Sequence, residues 1–380
     1  MKIAINGRAL IKPYTGLSMV SKNLLKEMSL AYPDINFLLY ISEKTQEDYS
    51  EFFAKNVSVI KVKEFEFLGK GFAKLIFEQI TLPKLFKKEK VDIALYPYPS
   101  NPFIKPKFLS CVVVHDAISW KYKSYSKSIF SKINKVFTKL CVKKADIIFT
   151  VSKYSKKEIS KYLSIAEELI KVVYNDAGDV YKEELSEDFS NEIMKKLKIK
   201  KNNYFIYAGG YDERKNVNKL IAEFQSFSGK YPDIELVLVG DKVFEDKLYE
   251  SFEDAKNRDN IVFTGFVTEK ELCALYKNAI SLLHLSKDEG FNLPILEASN
   301  ANCPIIISDI PVHREIAGKD AVFVDLAKNG EASLKMEEML DKDKQISQKE
   351  VAKKIAGNYL WERSALRYMN IMINTLKNDR

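Results

Sequence analysis

The sequence predicts an α/β fold made of two doubly wound domains, each with a parallel sheet between layers of helices. With 380 residues, the chain is longer than a single hydrophobic core usually supports. Short apolar runs rich in β-branched residues alternate with helical patterns, and this alternation occurs twice along the chain. Several runs are apolar on both faces, as expected for strands buried inside a parallel sheet.

Thirteen apolar runs are predicted to be strands, seven in the first half of the chain and six in the second: KIAING, INFLLYI, VSVIKV, VDIALYP, LSCVVVHD, ADIIFTVS and IKVVYN, then YFIYAGG, IELVLVG, IVFTGF, AISLLHLS, CPIIISD and AVFVD. The polar segment 176–203 between the two sets has few strand formers, which predicts domains at 1–180 and 190–360. Ser155 and Glu158 have the spacing of a capping box and predict the start of a helix there.

Composition narrows the class of protein. Apolar residues make up 46% of the chain and charged residues 29%, which is typical of a soluble globular protein. The chain has no run of about eighteen apolar residues, so no membrane-spanning helix is predicted. The start MKIAINGRAL is too short and too polar for a signal peptide. The four cysteines are far apart in sequence, which argues against a zinc site or a disulfide framework and favours the cytoplasm.

The net charge of +8 is distributed unevenly. Lys and Arg exceed Asp and Glu by 12 in residues 1–180, whereas Asp and Glu exceed Lys and Arg by 4 in residues 181–380. A basic half of this kind suits nucleic acid, anionic lipid or a phosphate-bearing substrate. Solvated lysines on helix surfaces explain the excess equally well.

Candidate site residues follow four of the predicted strands, because open α/β sheets bind ligands at the carboxyl ends of their strands. After the first strand, Gly16 opens a helix whose backbone N–H groups can face an anion, although a glycine before a helix is common. His115 and Asp116 follow the fifth strand. His115 is one of only three histidines, and a structural role explains it as well as a catalytic one.

The third candidate site is AGGYDERKN, which follows the strand YFIYA. Gly209 and Gly210 allow a tight turn and the close approach of a ligand to the backbone. Arg214 and Lys215 come just before a helix, and two cations at a helix start suit a diphosphate. A loop with solvated basic residues is the alternative.

The fourth candidate site is SKDEGFNLPILEAS, residues 286–299. Glu289 is predicted to lie in the loop after a strand, and Pro294 in the first turn of the next helix. Glu297 then lies about one turn into that helix, where its carboxylate can accept two hydrogen bonds from a vicinal diol such as ribose. Backbone amides at 291–293 can bind a phosphate or sugar oxygen. Alternatively, Glu297 only complements the helix dipole and Glu289 is a surface loop residue.

Taken together, these stretches resemble the retaining glycosyltransferases of family 4, which have the GT-B fold: two Rossmann-like domains that face each other across a deep cleft. The most specific part is EGFNLPILEASNANCPIIISD, which is similar to the family's E-x7-E signature and the strand after it. Other similar stretches are the glycine turn at Thr15-Gly16, the His-Asp pair at 115–116, ADIIFTVSKYSKKEI, GGYDERKN and YLWERSALRYMNIMINTLK. The resemblance implies that a helix at about 361–380 returns to the N-terminal domain.

The resemblance also implies a role for each candidate residue. Arg214 and Lys215 would neutralise the diphosphate of a nucleotide-sugar donor, and Glu289 would contact hydroxyls of its sugar. Glu297 would hold the ribose. His115 would lie near the anomeric carbon on the acceptor side, beside Asp116, so that His115, Glu289 and Lys215 form the predicted catalytic set. The other predicted donor-binding residues supply backbone groups or border the nucleobase: Gly16, Gly209, Gly210, Gly290, Phe291, Asn292, Leu293, Phe266 and Val267.

Two residues depart from the family pattern. Many members have an arginine directly after the first glycine of the phosphate loop, where this chain has Gly210, so Arg214 is the candidate replacement. Asn292 stands where the family usually has a second glycine. This difference is expected to change which sugar hydroxyls the site contacts. No clear D-x-D triplet offers itself as a metal-binding alternative, and the two cations can stabilise a leaving diphosphate. No obligatory metal and no cofactor are therefore expected.

The predicted reaction moves a hexose from a GDP- or UDP-linked donor, with mannose favoured by resemblance, to a lipid-linked or cell-surface polysaccharide. The basic, aromatic-rich stretches at 67–90 and 120–140 predict a peripheral enzyme on the inner face of the membrane; ordinary amphipathic helices are the alternative.

Two other functions remain open, a non-catalytic sugar-nucleotide-binding protein and a GT-B-like sugar-nucleotide epimerase. Nucleic acid is not an expected partner, since no recognisable module accompanies the basic patch.

Overall fold

The structure is a computed structural model that describes residues 1–13, 15–49, 51–65, 69–122, 125, 128–241 and 260–378. The chain forms two compact units, Met1–Asn175 with Leu360–Arg380, and Asp176–Tyr359. Of the two basic stretches predicted to contact a membrane, residues 67–68, 123–124 and 126–127 lie outside the described residues.

The first unit contains a parallel sheet with strand order β3-β2-β1-β4-β5-β6-β7. Its strands are β1 Lys2–Asn6, β2 Asn36–Ser42, β3 Val57–Val62, β4 Ile93–Tyr96, β5 Leu109–Val113, β6 Ile147–Thr150 and β7 Ile170–Val172. The strand order reverses between β1 and β4. In doubly wound sheets, ligands bind at such a switch point, at the carboxyl ends of the strands.

The second unit contains a parallel sheet with strand order β10-β9-β8-β11-β12-β13. Its strands are β8 Tyr204–Ala208, β9 Glu235–Val239, β10 Ile261–Gly265, β11 Ser281–His284, β12 Ile305–Ser308 and β13 Val322–Val324. The switch point here lies between β8 and β11. Every described strand coincides with one of the predicted runs, so the prediction of two doubly wound sheets is confirmed.

The described helices, in chain order, are α1 Gly16–Ala31, α2 Lys70–Ile76, α3 Leu82–Lys88, α4 Ile118–Lys121, α5 Ile129–Lys144, α6 Lys153–Leu163, α7 Glu187–Leu197, α8 Val217–Ser228, α9 Glu269–Lys277, α10 Leu293–Asn300, α11 Pro311–Ala317, α12 Glu331–Glu338, α13 Lys342–Asn358 and α14 Trp361–Asn378. A π-helical turn, Phe77–Thr81, joins α2 to α3. None of these helices combines the length and the apolar composition needed to span a membrane.

Helix α6 begins earlier than predicted. Its N-cap is Ser152, whose side chain accepts a hydrogen bond of 2.9 Å from the N–H of Ser155. The predicted capping box at Ser155 is therefore wrong, because the serine one turn earlier already satisfies the first N–H groups of the helix.

The boundary between the units also precedes the predicted end of the first domain at 180. Tyr181, in the 3-10 turn Asp179–Lys182, is buried, and its ring centroid lies 6.1 Å from that of Tyr276 in α9. This aromatic contact lies within the second unit, which begins at Asp176.

Burial on both faces of the strands explains their apolar runs. All residues of β5 and β8 are buried. In the first unit, α14 packs against α1, and the ring centroid of its Tyr368 lies 4.3 Å from that of Phe149 in β6. The last helix of the chain therefore completes the first unit.

Candidate active site

Two loops meet at the switch point of the second sheet, one after β8 and one after β11. A backbone hydrogen bond of 2.8 Å runs from the N–H of Lys287 to the carbonyl oxygen of Arg214. The side chain of Asn216 donates a second bond of 3.0 Å to the carbonyl oxygen of Leu285. These two bonds hold the loops, and hence their side chains, in a fixed arrangement.

Glu289 and two cations form an ion cluster between these loops. Arg214 Nη1 donates a hydrogen bond to Glu289 Oε2 at 2.5 Å, and Lys215 Nζ donates one to Oε1 at 2.7 Å. Ser286 Oγ donates to the same Oε1 at 2.7 Å. The side chains of Arg214 and Lys215 are each 13% exposed and that of Glu289 is 7% exposed. The structure thus brings together three residues that were assigned to one site, and Glu289 is not a surface loop residue.

The ion cluster keeps Glu289 ionised. Burial alone would raise the pKa of Glu289, but Lys215 and Arg214 outweigh that effect and hold the pKa well below its usual range. A carboxyl group that is ionised at neutral pH accepts hydrogen bonds and has no proton to donate. The ammonium and guanidinium groups have more N–H donors than Glu289 uses, so the same pair of cations can also bind an anion.

Close packing restricts Gly209, the first glycine after β8. Gly209 has φ +153°, and a Cβ at this position would lie 2.9 Å from the hydroxyl oxygen of Tyr207. At the end of the neighbouring β9, a Cβ on Gly240 would lie 2.5 Å from the carbonyl oxygen of Gly209. Packing thus accounts for Gly209, and the donor-binding role of Gly209 and Gly210 stays a prediction.

Glu297 lies in helix α10, which begins at Leu293 and has Pro294 in its first turn, as predicted. Its Oε2 accepts a hydrogen bond of 3.2 Å from the hydroxyl of Tyr276. Burial of the carboxyl group raises the pKa of Glu297 to about 7, and the negative charge of Glu269 adds to the effect. The side chain remains partly exposed. The ionised carboxylate of Glu297, which is the stronger hydrogen-bond acceptor, is therefore the major form only above about pH 7.

Asn292 is the centre of a buried polar network under the loop after β11. Its backbone has φ +85°, and its Nδ2 lies 3.1 Å from His284 Nδ1 and 2.9 Å from His313 Nε2. His313 Nδ1 lies 2.9 Å from the carbonyl oxygen of Ser308. Because a carbonyl only accepts, Nδ1 carries the proton and Nε2 accepts from the amide. One side-chain amide therefore joins two imidazoles, which a glycine cannot do.

Burial keeps both of these imidazoles neutral. It lowers the pKa of His284 well below the usual histidine value, and it lowers the pKa of His313 to about 4. Neither histidine was predicted from the sequence. His284 ends β11, so the rule that selected His115 after β5 applies to it as well.

The remaining predicted donor-side residues lie in loops of the second unit, except Leu293, which begins α10. Phe266 and Val267 follow β10, and the Phe266 side chain is exposed. Phe291 is buried and packs edge-on against Tyr359, with ring centroids 5.9 Å apart. Gly290 is buried and Leu293 is partly exposed. An exposed aromatic ring at a strand end is suited to stacking on a nucleobase, and this role stays a prediction.

His115 and Asp116 follow β5 in the first unit. His115 Nε2 lies 2.8 Å from the carbonyl oxygen of Pro97, so Nε2 carries the proton. Burial lowers the pKa of His115, which keeps the ring neutral. Asp116 Oδ1 accepts a hydrogen bond of 2.9 Å from the N–H of Ile118. Gly16 begins α1 after the N-cap Thr15, as predicted.

The switch point of the first sheet carries a polar cluster that was not predicted. Arg8 donates two hydrogen bonds, of 2.9 and 3.0 Å, to Glu64. The hydroxyl of Tyr98 donates a bond of 2.6 Å to Glu78 and lies 3.4 Å from Asn6 Nδ2. Burial raises the pKa of Glu78 to about 7. Asn6 ends β1, Arg8 follows β1 and Tyr98 follows β4, so the strand-end rule, applied to every strand, selects them.

Metal-ligating side chains show no comparable grouping. In the part of the chain that the structure describes, no three His, Cys, Asp or Glu side chains are placed to hold a metal ion together.

Family models match both units of the chain. Residues 17–175 match the model of Glycosyltransferase Family 4, and residues 189–356 match that of Glycosyl transferases group 1. The chain belongs to the family 4 glycosyltransferases. The E-x7-E stretch with Glu289 and Glu297 lies inside the second match.

This family 4 member is similar to enzymes of O-antigen synthesis. It is 30% identical over 232 residues to O-antigen chain mannosyltransferase RfbU of Salmonella typhimurium, a match that covers 60% of the chain and 61% of that protein. It is 27% identical over 187 residues to O-antigen chain mannosyltransferase B of Escherichia coli, which covers 48% of each. The chain therefore spans less than two thirds of the length of these curated relatives.

Solved structures show the same fold. Anabaena Alr3699/HepE in complex with UDP and glucose has a TM-score of 0.74 at 16% identity, and the match covers 98% of the chain and 100% of HepE. WaaG, a glycosyltransferase involved in lipopolysaccharide biosynthesis, has a TM-score of 0.73 at 15% identity, with 98% and 99% covered. Likeness at these identities concerns the fold alone, and it confirms the predicted GT-B class.

Proposed function

We propose that the protein transfers a hexosyl group from a nucleoside-diphosphate sugar to a glycan acceptor, with retention of the anomeric configuration. The observation that carries this proposal is the ion cluster of Arg214, Lys215 and Glu289 at the switch point of the second sheet. Family membership supports glycosyl transfer, and the cluster supports a diphosphate as the leaving group.

The two cations provide the electrostatic part of the proposed mechanism. When the bond between the sugar and the diphosphate breaks, negative charge accumulates on the leaving diphosphate. Arg214 and Lys215 stabilise this growing charge more than they stabilise the bound donor, which lowers the barrier. Because Glu289 already holds both side chains in place, little reorganisation is needed. We therefore propose that no divalent metal is obligatory, and activity should persist in EDTA.

Glu289 is proposed to accept hydrogen bonds from hydroxyls of the donor sugar. Its two oxygens already accept bonds from Arg214 and Lys215, and these charges make the carboxylate a weak base and a weak nucleophile. A front-face displacement fits such a residue better than a covalent intermediate on Glu289. In that route the bond from the anomeric carbon to phosphate breaks, the bond to the acceptor oxygen forms, and the acceptor proton moves to a phosphate oxygen.

Glu297 is proposed to hold the ribose, and Phe266 with Val267 to border the base. A carboxylate can accept from both hydroxyls of a ribose diol, and Glu297 is partly exposed one turn into α10. The names of the O-antigen mannosyltransferases support mannose as the sugar, and UDP in the HepE complex supports the uridine alternative to a guanosine-linked donor. The roles of His115, Asp116 and Gly16 remain predictions.

The acceptor is proposed to be a lipid-linked or cell-surface polysaccharide, in line with the O-antigen and lipopolysaccharide functions in the relatives' names. We further propose that the enzyme works at an anionic membrane surface, to which the basic first half of the chain is attracted. Flotation with vesicles that contain or lack anionic lipid checks this part.

A donor screen tests the proposed function. GDP-mannose, UDP-glucose, UDP-galactose, UDP-N-acetylglucosamine, ADP-glucose and dTDP-glucose are compared for thermal stabilisation of the protein and for turnover. We expect one donor to stabilise the protein and to be consumed, and NMR of the product to show retention. Stabilisation without turnover supports the non-catalytic alternative, conversion into an epimeric donor supports the epimerase, and no stabilisation by any donor contradicts the proposal.

A further inference from the structure

A groove in the first unit lies outside the candidate active site and includes part of the basic stretch 67–90. It runs between helix α3, the π-helical turn Phe77–Thr81 and the segment 102–108, and has a volume of about 640 Å³. We call it the lysine groove and infer that it binds the apolar chain of an anionic lipid. This inference rests on the membrane association proposed above, and it names the binding site and the chemical class of the ligand.

The floor and rim of the lysine groove are apolar. Phe86 and Phe108 are buried at its floor, with ring centroids 5.7 Å apart. Ile80 and Ile104 also line the groove and are exposed. Ile104 is 85% exposed, the highest value among the large apolar side chains of the described residues. Contiguous apolar surface of this kind indicates a site that another molecule covers.

The charged residues of the groove are all cations. Its described lining residues include no carboxylate and five lysines: Lys84, Lys87, Lys90, Lys105 and Lys107. Lys105 pairs with Asp146 at 2.9 Å. The other four lysines form no ion pair with any carboxylate in the described ranges. The groove therefore has a positive potential directly beside its apolar floor.

An anionic lipid matches both properties at once. Its apolar chain covers the exposed isoleucines, and its headgroup pairs with the lysines, each of which contributes to attraction by anionic lipid. A nucleic acid or an acidic peptide satisfies only the lysines and leaves Ile80 and Ile104 in water. Charge complementarity combined with the apolar floor therefore favours an amphiphile.

The wall of the groove is held by specific hydrogen bonds. Gln79, in the π-helical turn, accepts a bond of 3.0 Å from the N–H of Phe103 and donates one of 3.2 Å to the carbonyl oxygen of Asn101. These bonds fix the segment that carries Ile104. Single π-helical turns inside α-helices occur frequently at functional sites, and this turn places Ile80 and Gln79 along the groove.

Titration of the full chain with dodecyl phosphate, below its micellar concentration, tests the inference by calorimetry. We expect binding that inorganic phosphate does not displace, together with weaker binding of the uncharged dodecyl maltoside. Ile104→Asp should weaken the affinity about tenfold, because it removes apolar contact. Lys84→Gln and Lys87→Gln should each weaken it about fivefold. The matched control is Ile346→Asp in α13, where Ile346 is 62% exposed; it should bind as the native chain does.

Several results overturn the inference. These are no binding of dodecyl phosphate, displacement by inorganic phosphate, which indicates a simple anion site, and equal affinity of Ile104→Asp and the native chain. If gel filtration shows a dimer that Ile104→Asp converts to a monomer, a second copy of the chain covers the groove. Thermal melting of each variant confirms that it is folded.

Co-sedimentation with vesicles separates this inference from the membrane proposal on which it rests. The two vesicle types are phosphatidylcholine alone and phosphatidylcholine mixed with phosphatidylglycerol. Binding to the mixed vesicles that Ile104→Asp does not change supports membrane association and overturns the groove as its site. Dodecyl phosphate binding without vesicle binding supports the groove and contradicts membrane association. Donor turnover without acceptor should be the same in Ile104→Asp and the native chain.

Discussion

The switch point of the second sheet, between β8 and β11, and that of the first sheet, between β1 and β4, occupy the same place in the same strand order. At the second, two cations lie within 2.7 Å of Glu289. At the switch point of the first sheet, Lys74 approaches Glu78 only to 4.0 Å, and the close partner of Glu78 is the hydroxyl of Tyr98. The pKa of Glu289 is therefore held well below its usual range, whereas burial raises the pKa of Glu78 to about 7.

This contrast shows that the fold provides the position of a site and the neighbouring charges decide its chemistry. Two carboxyl groups are buried to a similar degree, yet one is ionised at neutral pH and the other is close to half-protonated. The cationic switch point suits a diphosphate. The switch point around Asn6, Tyr98 and Glu78 suits an uncharged ligand rich in hydroxyl groups, such as a glycan.

The largest expected effect is on turnover. Lys215→Ala should lower the rate of donor consumption between about a hundredfold and a thousandfold, because one of the two charges that stabilise the leaving diphosphate is lost. Initial rates with the donor found in the screen measure this. Lys287→Ala, an exposed lysine of the neighbouring loop, is the matched control and should retain its rate. Near-normal rates in Lys215→Ala contradict the diphosphate role of the cluster.

Glu289→Gln tests the charged switch point through stability. At pH 7 the variant should lose about 3 kcal/mol of unfolding free energy, since the nearly buried Lys215 loses its counterion and Arg214 keeps the more distant Asp212, at 3.4 Å. Because the pKa of Glu289 is lowered on folding, its contribution is present above the ordinary value of 4.5 and is lost as the pH falls below it. Urea unfolding at pH 7 and at pH 4 measures this difference, which should narrow at the lower pH. Equal stability at pH 7 argues against a buried cluster.

Glu78→Gln should have the opposite pH dependence. Folding raises the pKa of Glu78 from 4.5 to about 7, so the stability that this carboxyl contributes falls as the pH rises through that interval. The variant should match the native chain near pH 4.5 and be more stable by about 3 kcal/mol at pH 8. The measurement is urea unfolding of the first unit, followed by its tryptophans Trp120 and Trp361. If the variant is less stable than the native chain at pH 8, the hydrogen bond from Tyr98 stabilises the ionised Glu78 more than burial of its charge destabilises it.

Donor affinity should depend on pH through Glu297. Because the pKa of Glu297 in the free protein is about 7, the ionised acceptor for the ribose forms as the pH rises through neutrality. The donor KM should therefore fall about tenfold between pH 6 and pH 8, with a smaller change in kcat. Glu297→Gln should have a high KM with little pH dependence. A change confined to kcat contradicts the ribose assignment.

The smallest expected effect concerns Asn292, at φ +85°. Asn292→Gly and Asn292→Ala both lose the amide that joins His284 and His313, but only glycine adopts this φ without strain. The alanine variant should be less stable than the glycine variant by about 1 kcal/mol. Thermal melting of the two variants, compared side by side, measures the difference. Equal melting temperatures indicate that the loop changes conformation when the amide is absent.

Several site residues were predictable because the rule that finds them is local. Glu289 and Lys215 lie in the loops that follow apolar strands, and Pro294 marks the helix that carries Glu297. Glu78 could not be found in this way, because it lies in the helical segment between α2 and α3 and not at a strand end. Only packing of that turn beside Tyr98, which follows β4, makes it part of a cluster.

By itself, the sequence determined the strands, the two-sheet organisation and the family signature, since apolar periodicity, turn residues and motif spacing depend on residues that are close along the chain. Only the tertiary structure decided the charge states of Glu289 and Glu78 and the neutral forms of His284 and His313. A pKa depends on burial and on partners at hydrogen-bond distance, and Lys215 and Glu289 are 74 residues apart in sequence.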